Sequence, residues 1–272
     1  FVFMAAIRYL DNLGRRDIAG ISILEEDPAR VNLGLFLVRH HDELFRLCKT
    51  RHVQSNFPAR ALPVAELLAD RYGQHHLAVI ELGCSLGLIG RVLCSPAAVM
   101  EGFGDWFDSR QQQPKTWPAV VTYCGLDQTI PEPDWILASI HESAVRQRLE
   151  SLIENLSAGS DCLVHPGQAE TFMDHPAVQA LVPRFDKEHP DHLIPVVLTS
   201  YVFYQLLPAS RDRLADEINR FTAMHGGTWI NQEPRKNEEG YRFFVEEDGR
   251  EVIELENDLC LAWTWTQSSR GN

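Results

Sequence analysis

The sequence predicts a doubly wound, mostly parallel α/β sheet with a terminal antiparallel hairpin and an N-terminal helical extension. Three observations predict it. Short apolar runs bounded by turn residues recur at 77–83, 119–126, 161–165, 193–199 and 228–231. Segments with helical spacing lie between them. Near the end, runs 241–247 and 250–256 flank Asp248-Gly249, a strong hairpin signal.

The first 75 residues read as helical. Val31, Leu35, Val38, Leu44 and Phe45 fall at helical spacing, with Arg39, His40 and Lys49 off that face. Pro58 and Pro63 punctuate the next segment, and a helix from Val64 ends near Gly73. The division is therefore a helical extension or cap at 1–75 and an α/β domain at 76–272. A helix is expected at 86–95, then a Gln-rich insert at 102–118, a lid or a surface loop, which carries Trp106, Phe107 and Trp117. One helix is expected over 134–156, with Asp134 as its cap and Val145, Leu149, Leu152, Ile153 and Leu156 inward. Ser210 is expected to cap a helix with Leu214, Ile218 and Phe221 inward, closed by Gly226-Gly227. A last strand is expected at 259–266.

The formal charge of -13 repels phosphate backbones, so nucleic acid is not an expected partner. No apolar run approaches the roughly 20 residues of a membrane span. The start, Phe1-Val2-Phe3-Met4, lacks a basic n-region and a cleavage site, and reads as a chain whose natural beginning lies upstream. Cysteines at 48, 84, 94, 124, 162 and 260 form no Cys-x-x-Cys, which suggests buried, reduced thiols in a cytoplasmic protein. The 11 histidines show no metal-ligand spacing, and no metal is expected. The oligomeric state is not legible.

The most informative stretch is Leu77 to Gly87, an apolar strand ending in Glu81-Leu82-Gly83-Cys84-Ser85-Leu86-Gly87 and running into a second apolar segment. This is a strand, a tight glycine turn and a helix start. Gly83 and Gly87 permit a sharp turn and a close ligand approach. A dinucleotide fingerprint would need glycine where Ser85 stands. Gly83-Cys84-Ser85-Leu86-Gly87 also fits a nucleophile elbow, Gly-x-Ser-x-Gly, with Ser85 as nucleophile of a serine hydrolase. Against it, no convincing strand precedes Ser85 to present an elbow or an oxyanion hole. A plain structural turn needs no ligand at all.

Three stretches together carry a resemblance. These are Gln54-Ser55-Asn56-Phe57 with Arg60, the loop Glu81 to Leu88, and Gly125-Leu126-Asp127 with Pro131. The chain resembles an uncharacterised bacterial family with a class I S-adenosylmethionine-dependent methyltransferase-like Rossmann core. Order and spacing agree from about residue 30 to about 235. The family pattern has Thr-Asn-Glu where Ser55-Asn56-Phe57 stands, Asn where Ile89 stands, and a His-Gly-x-Trp near Trp263-Thr264-Trp265.

The resemblance implies S-adenosylmethionine as cofactor and a small-molecule or protein substrate. Gly83, Cys84, Ser85 and Gly87 would cradle the methionine part. Glu81 would attract its ammonium group through water, Asp127 would accept from the ribose hydroxyls, and Gln168 would meet the adenine amine. Asp127 follows Gly83 by 44 residues, where a compact unit takes roughly 20. Candidates for the acceptor side are Tyr201, Asn56 and Arg60; residues 30–75 would pack over the carboxyl edge of the sheet and bring the last two to the cleft. Glu81 could instead be a structural carboxylate bonded to nearby amides, and Asp127 a turn residue. A non-catalytic cofactor-binding or interaction protein also fits these residues.

Overall fold

The computed structural model describes residues 5–10, 39–50, 60–95, 116–140, 143–157, 162–237, 240–255 and 263–265. Helices are α1 at 5–10, α2 His41–Thr50, α3 Ala61–Tyr72, α4 Leu88–Cys94, α5 Pro133–Ser139, α6 Ser143–Ser157, α7 Pro176–Gln179 and α8 Pro208–His225. Strands are β1 Leu77–Leu82, β2 Val120–Asp127, β3 Cys162–Pro166, β4 Ile194–Ser200, β5 Thr228–Asn237, β6 Gly240–Glu247, β7 Arg250–Leu255 and β8 Trp263–Trp265. The chain forms two compact units, Phe1–Ser55 with Pro131–Ile153, and Asn56–Ile130 with Glu154–Asn272. By this division α3 falls in the sheet unit, and a boundary at residue 75 would separate it from β1.

The strands form one sheet in the order β3-β2-β1-β4-β5-β6-β7-β8. The first five are parallel and the last three antiparallel, which is the expected doubly wound class. β1 lies centrally and is buried along its whole length, so its run is apolar except for Glu81. Chain order reverses between β1 and β4, and ligands of open α/β sheets bind beyond the carboxyl ends at such a point. One face of the sheet carries Ala78, Ile80, Leu82, Cys124, Leu126 and Val197, which pack with Phe172, Phe185, Leu214, Ile218 and Phe221. Alternation puts Val79, Glu81 and Tyr123 on the other face, where Tyr123 meets Gly90 of α4.

The hairpin turn is as expected: Asp248 and Gly249 have φ of 48° and 78°, as a two-residue primed turn requires. Several ends differ. α3 begins at Ala61, and Pro63 sits in its first turn, where its missing N–H costs nothing. α8 begins at Pro208, so Ser210 lies inside the first turn and does not cap; Gly226 closes the helix in a left-handed conformation. The helix expected over 134–156 is two, because Ile140 is extended. Glu132 and Pro133 start α5, and Asp134 falls in its first turn.

In the first unit Ala6, Ile7, Tyr9, Leu44, Leu47, Trp135 and Ala138 form one apolar cluster. The Tyr9 hydroxyl donates to Glu132. Phe45 is 60% exposed, contrary to its expected place on the apolar face, and stacks on His41 beneath Lys49. Val31, Leu35 and Val38, the start at Phe1, most of the insert at 102–118 and Asn56 lie outside the described residues. Cys84 and Cys124 are buried and not in disulfides, whereas Cys48 is exposed. No described helix is long and apolar enough to cross a membrane.

Candidate functional site

The carboxyl ends of β3, β2, β1 and β4 carry the candidate residues side by side. Gly83, Ser85 and Gly87 all take positive φ, 67°, 56° and 69°, so the loop winds tightly over the edge of the sheet. A Cβ on Gly83 would lie 2.5 Å from Val202, which follows β4. The loop of β1 is thereby packed against that of β4, and glycine is required there.

The loop amides are largely committed within the protein. Gly83 and Cys84 N–H donate to the Leu126 carbonyl, and Gly87 N–H to the Cys84 carbonyl. Ser85 N–H donates to Asp127 Oδ2 at 2.7 Å. The expected cradle of free amides is therefore not present at Gly83, Cys84, Ser85 and Gly87; what the glycines supply is the turn itself.

Asp127 is half-buried, and Oδ1 accepts from Thr129 N–H at 3.0 Å. One oxygen closes a turn and the other latches the glycine loop. A carboxylate has about four acceptor positions, so two stay available on a group already oriented. Gly167 N–H donates to the Asp127 carbonyl, and Gln168 follows, exposed, beyond the end of β3. His175 packs over Gly167, with its ring 5.6 Å from that of His165.

Glu81 sits elsewhere than expected. Its side chain lies between sheet and α4, where Oε2 accepts from Tyr123 Oη at 2.8 Å and from Gly90 N–H at 3.1 Å. At 1% exposure it is the structural carboxylate of the alternative above, not a ligand group at the cleft. Burial raises its carboxyl to about 7, against the opposing pull of these two hydrogen bonds, and nearby Asp127 raises it further. Burial, with Glu81 and Asp127 nearby, pushes the Cys84 thiol well up, so the thiol is not a nucleophile here.

A group with a folded-state pKa raised above its ordinary 4.5 stabilises the fold fully below that pH, and the contribution is lost as pH rises through about 7. Glu81→Gln keeps an acceptor for both donors and removes the titration. We expect the variant to lose less stability than the parent between pH 5 and 8 in parallel urea titrations. Equal slopes in the two proteins would contradict the assignment.

Tyr123 is the residue that sequence reasoning did not single out. Its ring fills the space left by three glycines: a Cβ on Gly87, Gly90 or Gly125 would lie 2.6, 1.8 or 2.4 Å from it. Its hydroxyl joins β2 to Glu81 of β1. Glu233 was missed as well. Its Oε1 accepts from Val202 N–H at 2.6 Å and Phe203 N–H at 2.8 Å, holding the turn after β4 in place.

Arg60 and Tyr201 are brought together. The Arg60 guanidinium lies 3.8 Å from the centre of the Tyr201 ring, a cation–π stack on a fully buried arginine. Tyr201 has φ 59°, and its N–H donates to the Gln232 carbonyl. Gln232 Nε2 in turn donates to the Arg60 carbonyl at 2.9 Å. The pair stands at the end of β4, one residue from the contact of Val202 with Gly83.

Ser85 is 2% exposed, and its Oγ has no hydrogen-bond partner among the described residues. A nucleophilic serine needs a base within hydrogen-bond reach and an open face. The elbow chemistry is thus not built here, although φ at Ser85 is positive. A fluorophosphonate probe should leave Ser85 unmodified in the intact protein; stoichiometric labelling found by peptide mass spectrometry would overturn this.

No protein-family model matches the chain, and no curated protein does. Among solved structures, the glycopeptide N-methyltransferase MtfA complexed with S-adenosylmethionine is 14% identical, covers 73% of this chain and 69% of its own, and has a TM-score of 0.29. MtfA complexed with sinefungin gives 14%, 78% of each chain and 0.29. The sugar N-methyltransferase KedS8 from a Streptoalloteichus species gives 13%, 86% of this chain, 73% of its own and 0.27.

Proposed function

We propose that the chain is an S-adenosylmethionine-dependent methyltransferase that binds its cofactor across the carboxyl ends of β1, β2 and β3. One observation carries the proposal: the glycine turn 83–87, Asp127 and Gln168 stand in order at consecutive strand ends beside the point where chain order reverses. The fit rests on this donor set. The Asp127 carboxylate, held by Ser85 and Thr129 amides, has acceptor capacity left for a vicinal diol such as ribose. Gln168 is exposed next to it and offers an amide oxygen to an exocyclic amine.

When bound, the cofactor supplies an electrophilic methyl group on sulfur. The protein's part is alignment. The turn over Gly83, closed by Val202, shapes the β1 side, while Arg60 and Tyr201 form a wall at the β4 side. Asn56 belongs to the same proposal from its place just upstream of Arg60.

Calorimetric titration of S-adenosylhomocysteine into the intact protein tests the proposal. Saturable heat with one site per chain is expected. No heat and no thermal shift at millimolar ligand, in a folded sample, would remove it. A protein that binds the cofactor without transferring its methyl group would show the same heat and no turnover in any acceptor.

A further inference from the structure

β4 pairs with β5 as far as Ser200 opposite Gln232, and one more bond runs from Tyr201 N–H to the Gln232 carbonyl. There the chain leaves the sheet. Tyr201 takes a left-handed φ of 59°, unusual for a bulky residue, and Val202 follows in a right-handed helical conformation. Left-handed then right-handed backbone aims successive N–H groups at one point, an anion-binding nest. Val202 is 8% exposed, so its amide needs a partner within the protein. The next residue of β5 supplies it. Glu233 Oε1 accepts from Val202 N–H at 2.6 Å and from Phe203 N–H at 2.8 Å. A carboxylate makes such bonds shorter and stronger than a neutral acceptor does.

We propose that Glu233 is a positioning residue for the cofactor: through the Val202 and Phe203 amides it holds the Val202 side chain against Gly83, and so fixes the turn that carries the Ser85–Asp127 hydrogen bond. The assignment rests on the cofactor reading above. Each link is a contact of the structure. A Cβ on Gly83 would lie 2.5 Å from Val202 Cγ2, so the two loops touch directly. Gly83 N–H closes the turn on the Leu126 carbonyl, and two residues on Ser85 N–H closes it on Asp127 Oδ2. Left-handed backbone at a residue like Tyr201 persists only while its surroundings hold it. Without the carboxylate, Tyr201 relaxes to negative φ and carries Val202 away from Gly83. The Asp127 carboxylate, which the cofactor reading gives to the ribose, then loses its latch. Glu233 need touch no ligand to do this.

The test has two readouts on the intact protein. In the first, without ligand, hydrogen exchange read by mass spectrometry follows peptides covering 83–87. Glu233→Ala should speed exchange there as well as at 202–203, and Glu233→Gln, which keeps one acceptor oxygen, should speed it less. In the second, calorimetry follows S-adenosylhomocysteine. Glu233→Ala should weaken it about tenfold. In a Val202→Ala background the contact with Gly83 is already cut, and the same substitution should change affinity by less than about twofold. Faster exchange confined to 202–203, or equal losses of affinity in the two backgrounds, would make Glu233 a local staple of its own turn and overturn the proposal. Should Glu233→Ala not fold, Glu233→Gln is read in the same cycle against Val202→Ala, with a partial loss expected in the parent background alone. Parent-like affinity in the Glu233 variants would sink this proposal and spare the cofactor reading. No binding of S-adenosylhomocysteine to the parent protein would sink the cofactor reading, and this proposal with it.

Discussion

Gly90→Ala should lower the melting temperature by roughly 5–10 °C, the reverse of what alanine does in an ordinary helix. Gly90 lies within α4, where alanine would normally stabilise by about 1 kcal/mol. Here its Cβ would lie 1.8, 2.2 and 2.7 Å from three atoms of the Tyr123 ring. The ring has nowhere to go. Gly87 and Gly125 press on its hydroxyl end, and that hydroxyl is bonded to Glu81 at 2.8 Å. Overpacking of about 3 kcal/mol then outweighs the gain in helix propensity. In a Tyr123→Ala background the same substitution should cost far less, and a double-mutant cycle isolates the coupling. A Gly90→Ala protein that melts at or above the parent temperature would show that the ring does not fill this space.

Asp127→Ala should weaken S-adenosylhomocysteine roughly 10- to 100-fold, corresponding to about 1–3 kcal/mol for a charged hydrogen-bond partner. Two losses combine. The ribose would lose its acceptor, and the glycine loop its latch on Ser85 N–H. Asp127 is half-buried at a strand end, so the fold should survive, and circular dichroism melts check that. Asp127→Asn keeps an acceptor oxygen and should fall between the two. Unchanged affinity in Asp127→Ala would move the ligand away from β2.

Much of the site is legible in sequence because its parts are local punctuation. Gly83 and Gly87 mark a turn by their residue type alone, and the structure gives both positive φ. Asp127 and Gln168 are polar residues that end or follow apolar runs, so the strand assignment places them at the sheet edge. What depends on register is not legible. Tyr123 reads as one more aromatic in a strand. Only the pairing of β1 with β2 sets it beside Glu81, 42 residues away, and beneath Gly90. The same pairing changes the meaning of Glu81, from a ligand group by motif to a buried link by geometry.

Helix ends depend on neighbouring residues in the same way. Ser210 has the right chemistry for a cap, but Pro208 presets the helical φ two residues earlier. Glu233 lies beyond the strand expected at 228–231. The strand continues to Asn237 through its pairing with β6; among the described residues β4 pairs no further than Gln232, and proline is tolerated on the side without a ladder. Arg60 and Tyr201 were both named from their positions, yet their stacking spans 141 residues of sequence and is a product of the fold.

The central claim is that the ends of β1, β2 and β3 hold S-adenosylmethionine. A crystal structure of the intact protein grown with S-adenosylhomocysteine tests it most directly. The account predicts ribose hydroxyls within hydrogen-bond distance of the Asp127 carboxylate and the adenine amine at Gln168. A ligand bound away from Asp127, or a ribose turned to solvent, would contradict it.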